Sequence, residues 1–166
     1  MFTADILSLA EIIVRDFTTA KNTISTAESC TGGLIAGALT EISGSSAVVD
    51  RGFVTYTNTA KIEMLGVQEG TLESFGAVSA ETALQMAHGA LFRSRADVAV
   101  AVTGIAGPSG GSPQKPVGLV HLAAKSRTGA LIRRKMLYGD IGRDKVRLAT
   151  VQTALEMLIE LRENRA

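Results

Sequence analysis

A chain of 166 residues predicts one domain over residues 1–166, large enough to bury a core without a disulfide or a metal. An apolar content of 46% excludes disorder, and 17 basic against 16 acidic residues leave a net charge of +1, too little to draw in nucleic acid or an anionic membrane. The lone Cys30 excludes an intrachain disulfide, and apolar runs such as residues 98–102 fall far short of the ~20 residues of a spanning helix, so a cytoplasmic protein is expected.

The opening segment carries Asp5 and Glu11 ahead of its first basic residue, Arg15, so no secretory leader is expected. Leu7, Leu9, Ile12, Ile13 and Phe17 recur at helical steps and predict a helix over 3–21. A short β-branched strand over 23–28 then breaks into Ser29-Cys30-Thr31-Gly32-Gly33, and a second helix follows over 34–42. Residues 48–57, rich in Val, Phe, Tyr and Thr, read as a strand, with Asn58 as N-cap of a short helix through 64. Ser79 caps a helix to about 93, with Ala83, Met86, Ala87 and Ala90 inward. Residues 97–102 form a continuous small-apolar strand of the kind buried on both faces, and they run into the glycine-dense segment 103–113. Strands over 117–124 and 131–138 make a hairpin across 126–129, and a last helix spans 143–162. The sum is a three-layer α/β/α sandwich whose sheet is mixed, mostly parallel, with a C-terminal antiparallel hairpin.

Ligands of open α/β sheets gather beyond the carboxyl ends of strands, and two such ends stand out here, residues 29–33 and 103–111. Both offer hydroxyls and glycine amides, and the first leads into a helix N-terminus, which suits a phosphate or a developing oxyanion. Neither fits the Walker A or the G-x-G-x-x-G pattern, which disfavours a nucleoside triphosphatase and a dinucleotide oxidoreductase. His88 and His121 lie on separate predicted elements without metal-ligand spacing. Residues 112–115 match S-x-x-K formally but lie in a Gly/Pro loop that does not bring Ser112 and Lys115 to one face. Arg133-Arg134-Lys135, on a strand, reads as a solvated sheet edge.

Ser29 and Cys30 are both possible nucleophiles, and the residues alone do not choose between them. A serine needs a base. Histidine is scarce, which directs attention to Tyr56 and Lys61 at the end of a strand and one turn into the next helix. For Lys61 to serve, its pKa must fall from about 10.4 toward roughly 7–8, as burial can arrange.

Five segments carry a resemblance: Ala27-Glu28-Ser29-Cys30-Thr31-Gly32-Gly33, Arg51-Gly52-Phe53-Val54-Thr55-Tyr56 with Lys61, Gly76-Ala77-Val78-Ser79, Thr103-Gly104-Ile105-Ala106-Gly107-Pro108 with Gly110-Gly111, and Lys115-Pro116-Val117-Gly118. In this order they resemble the CinA C-terminal domain family, the nicotinamide-nucleotide amidohydrolases, over nearly the whole chain. The N-terminal domain of larger family members has no counterpart here, so a stand-alone enzyme is expected. The resemblance implies hydrolysis of the carboxamide of nicotinamide mononucleotide to nicotinate mononucleotide and ammonia, without metal or cofactor, in pyridine-nucleotide salvage. It makes Ser29 the nucleophile and Lys61 its base. Tyr56 would assist proton transfer or position the lysine, and Thr103 would lie close to the nucleophile. Cys30, Thr31, Gly32, Gly33, Gly104, Ile105, Ala106 and Gly107 would form the substrate site, with amides of 31–33 or 104–107 holding the oxyanion. Arg143, with Arg147 as the alternative alignment, would contact the nucleotide phosphate. Nicotinamide mononucleotide is then the partner, with no nucleic acid and no membrane, and a homodimer or larger homo-oligomer is expected. A non-catalytic nucleotide-binding module linked to competence is the alternative function.

Overall fold

The computed structural model describes residues 2–163. Helix α1 (Ala4–Ala20) is capped by Thr3, whose side chain accepts from the Ile6 amide, and leads into strand β1 (Ile24–Glu28). Helix α2 (Leu34–Thr40), strand β2 (Val49–Val54), helices α3 (Asn58–Leu65), α4 (Glu69–Phe75) and α5 (Ala80–Phe92), strands β3 (Val98–Gly104), β4 (Leu119–Ser126) and β5 (Leu131–Leu137), and helix α6 (Arg143–Glu163) follow. The five strands lie in the order β2-β1-β3-β4-β5. β1 runs parallel to β2 and to β3, whereas β4 is antiparallel to both of its neighbours. Four strands therefore point one way and β4 alone the other.

Alternation within β3 sorts the two cores by size. Val98, Val100 and Val102 turn toward α1, α2 and α6, where Ile13, Phe17, Leu39, Leu155 and Leu158 pack with them. Ala99 and Ala101 turn the other way, under Met86, Ala87 and Ala90 of α5. Small residues on that face let α5 sit close to the sheet. The layering is α/β/α, and the C-terminal hairpin has the expected antiparallel register, with Lys125 opposite Leu131. The basic run at 133–135 lies on β5, an edge of the sheet, with Arg133 and Lys135 exposed and Arg134 half-buried.

Two local features differ from the sequence expectation. Thr57, not Asn58, caps α3: its backbone is extended and its hydroxyl accepts from the Ala60 amide at 3.0 Å. Helix α4 and a 3-10 turn over Ser45–Ala47 fall in stretches that periodicity left unassigned. With seven residues, of which only Thr71 and Leu72 are buried, α4 is too short to display a helical apolar face.

β1 and β3 are neighbours whose onward connections leave in opposite directions, β1 to β2 on one side and β3 to β4 on the other. Such a switch point opens a crevice beyond the strand ends. Both unusual loops, 29–33 and 103–111, begin there.

Candidate active site

The register pairs Glu28 with Val102, and the Ser29 amide donates to the Val102 carbonyl at 3.1 Å. Ser29 is thereby pinned to β3 one residue beyond its own strand. The chain then turns through Gly32 and Gly33, both at positive φ; Gly33 (φ 99°) occupies the N-cap of α2 in a conformation that a side chain would strain. The buried Glu28 carboxylate folds back across this turn and accepts from the amides of Gly33, Ile35 and Ala36 at 2.9–3.1 Å. The positive end of α2 is thus neutralised by the protein's own acid.

Lys61 comes from the first turn of α3 and is 1% exposed. Its Nζ donates to Ser29 Oγ at 3.0 Å and to the Thr55 carbonyl at 2.9 Å. Burial holds this ammonium below the ordinary lysine range, opposed by the Cys30 thiolate. That opposing charge is absent near neutrality, because burial pushes the Cys30 thiol up to about 11. Cys30 packs in the apolar cluster of α1, α2 and α6. Of the two adjacent candidates, then, the serine touches an amine and the cysteine remains a protonated thiol.

Ser29, Cys30, Tyr56, Lys61, Thr103, Gly104, Ala106 and Arg143 line one cavity of about 210 Å³, together with Asn58, Ala77 and Val78. Thr103 Oγ1 donates to the Ala77 carbonyl at 2.7 Å, tying the end of β3 to the segment before α5. Tyr56 is half-exposed at the mouth, and its hydroxyl accepts from Arg143 at 2.7 Å. Arg143 also donates to the Gly107 carbonyl at 3.0 Å, so this guanidinium bridges the strand-end tyrosine and the glycine loop. Arg147 donates to the carbonyls of Cys30 and Thr31 and holds the Ser29 turn from behind. The chain thus brings both arginines to the site, with Arg143 on the cavity wall.

Thr31, Gly32, Gly33, Ile105 and Gly107 stand outside the lining. The Gly32 amide donates to the Ser29 carbonyl, the Gly33 amide to Glu28 and the Ile105 amide to the Leu119 carbonyl. The amides of Cys30 and Thr31 make no hydrogen bond to another residue among those described, which leaves them as donors next to Ser29. Asn58, Ala77 and Val78 were missed by sequence reasoning; Ala77 and Val78 lay within a quoted motif but carry no chemical group that would single them out. Among the described residues no three His, Cys, Asp or Glu side chains gather as a metal cluster, and no helix is long and apolar enough to cross a membrane.

The chain is similar to several known proteins. A protein named nicotinamide-nucleotide amidohydrolase PncC from Escherichia coli K12 is 47% identical over 159 residues, covering 95% of each chain. One of the same name from Enterobacter agglomerans is 53% identical over 142 residues, 82% of this chain and 85% of that one. The crystal structure of competence/damage inducible protein CihA from Agrobacterium tumefaciens superposes with a TM-score of 0.97 at 70% identity, covering 98% of both chains. The model of the CinA C-terminal domain matches residues 6–162, and the chain belongs to that family.

Proposed function

We propose that the protein hydrolyses the carboxamide of nicotinamide mononucleotide to nicotinate mononucleotide and ammonia, in the cytoplasm, as a step of pyridine-nucleotide salvage. The observation that carries the reading is the 3.0 Å contact between Ser29 Oγ and the buried Lys61 amine. Relatives of nearly the same length that bear the amidohydrolase name support the substrate.

In this mechanism Lys61 is neutral and accepts the Ser29 hydroxyl proton as Oγ attacks the carboxamide carbon. The pyridinium ring of the substrate is itself cationic, so it disfavours a charged lysine nearby and makes the carbonyl carbon more electrophilic. The oxyanion of the tetrahedral intermediate takes a hydrogen bond from the amide of Cys30, which lines the cavity beside Ser29. Lys61 returns its proton to the departing nitrogen, ammonia leaves, and an ester joins the nicotinoyl group to Ser29. Water then attacks the ester, giving its proton to Lys61, and the ester bond breaks to release nicotinate mononucleotide and restore the hydroxyl. Tyr56 and Arg143 order the mouth of the cavity, and Thr103 fixes its wall. No step calls on a metal. A homodimer or larger assembly belongs to the same reading, supported by the exposure of Phe92 (75%) and Leu137 (65%).

Purified protein incubated with nicotinamide mononucleotide should release ammonia and nicotinate mononucleotide in equal amounts, at a rate unchanged by a chelator. Binding of the nucleotide with no ammonia after long incubation would instead establish a non-catalytic nucleotide-binding module.

A further inference from the structure

At about 210 Å³ the Ser29 cavity is smaller than the roughly 300–1,000 Å³ usual for small-molecule sites. One of its walls, Val78, also borders a second cavity of about 320 Å³. The two are linked by a row across the sheet: Thr103 of β3 pairs with His121 of β4, and His121 pairs with Lys135 of β5. Residues opposite one another share a face, so these side chains lead from the catalytic cavity into the second one, over about 10 Å for two inter-strand steps. Lys115 joins them from the loop after β3, its Nζ donating to the Phe75 carbonyl at 2.6 Å. The charges of Lys135 and Lys115 both bear on His121 and, after burial, hold its imidazole below the ordinary value. Glu81 is the acid on this lining, so two lysines face one carboxylate.

The positions from which the sequence suggested phosphate contacts are tied into the Ser29 turn and the mouth of its cavity and do not line the second cavity, whereas Lys115 and Lys135 do. Glu28 fills the N-terminus of α2, Arg147 holds the Cys30 and Thr31 carbonyls, and Arg143 holds Tyr56 and Gly107. Building on the amidase reading above, we propose that the second cavity is the phosphate subsite, where Lys115 and Lys135 grip the phosphate dianion of the mononucleotide while its carboxamide lies against Ser29. Carboxamide and phosphate stand at opposite ends of this substrate, separated by the pyridinium ring and the ribose, which matches two cavities that border one another at Val78. Charge-assisted contacts from two ammonium groups would then make the enzyme select the nucleotide over the nucleoside.

The test compares kcat/KM for nicotinamide mononucleotide with that for nicotinamide riboside, which lacks the phosphate. The wild type should prefer the nucleotide, and the preference should fall about tenfold or more in Lys135→Gln and in Lys115→Met. It should fall further in Lys135→Glu, mainly through KM. Lys125→Gln, on β4 but lining a different cavity, should keep the preference. A preference left intact by both lysine variants overturns the subsite. So does a wild type that hydrolyses nucleotide and nucleoside equally well, which would leave the amidase reading standing. A wild type that releases ammonia from neither fails the amidase reading itself, before any variant is made.

Discussion

In the proposed reaction Lys61 is the residue on which the chemistry turns. A primary amine that is 1% exposed has lost its hydration, and its hydrogen bonds to Ser29 Oγ and the Thr55 carbonyl replace only part of it. Its folded-state pKa is therefore depressed below 10.5. Between that depressed value and 10.5 the unfolded chain binds more protons than the folded one, so stability rises with pH across this window. Lys61→Met should accordingly raise the melting temperature near neutrality, and the gain should shrink as pH climbs toward 10.5; a gain independent of pH would contradict a burial-driven shift. The same variant should lower kcat for ammonia release by about 10²–10⁴ with a smaller effect on KM, read from initial rates. Sequence alone put Lys61 and Ser29 among the candidates, because Ser, Tyr and Lys stood at strand ends and histidine was scarce. It left Ser29 and Cys30 undecided. Both are buried, and their difference is what surrounds them: Ser29 meets the Lys61 amine, whereas Cys30 packs in a core assembled from α1, α2 and α6, segments distant in the chain, and no local pattern reports that.

At the scale of elements, the site depends on how closely α3 approaches α5. A Cβ at Gly89 of α5 would collide with the backbone carbonyl of Leu65 at the end of α3, so the two helices pack main chain against main chain. Gly89→Ala must push α3 outward, and α3 carries Lys61. The variant should lose about 1–3 kcal/mol in denaturant unfolding and lose kcat as well. Equal stability together with full activity would show that α3 does not need this contact. Periodicity and composition placed α1, α5 and α6 and the five strands within a few residues. They failed where tertiary contacts decide. Thr57 takes the cap from Asn58 through its extended backbone, and α4 exists because Thr71 and Leu72 meet α5, not because its seven residues form an apolar stripe. The glycines of 29–33 were legible as a special turn. The acid that fills it, Glu28, was not, because in sequence it is simply the last residue of a strand.

For the molecule as a whole, a net charge of +1 means that selectivity for an anionic substrate has to be local. In the proposed reading the switch point between β1 and β3 supplies the place, and the row from Thr103 to Lys135 supplies the direction. Exposed Phe92, Leu131 and Leu137 leave apolar surface that a homodimer or larger assembly would cover. Sedimentation velocity at micromolar concentration should find at least a dimer; a monomer throughout would contradict that part of the account. In the proposed mechanism the Ser29 hydroxyl, relieved of its proton by Lys61, attacks the amide. Ammonia release by Ser29→Ala tests it most directly, alongside calorimetric binding of nicotinamide mononucleotide to the same variant. The account predicts a fall of at least about 10³-fold in rate with binding retained; hydrolysis at the wild-type rate would contradict it.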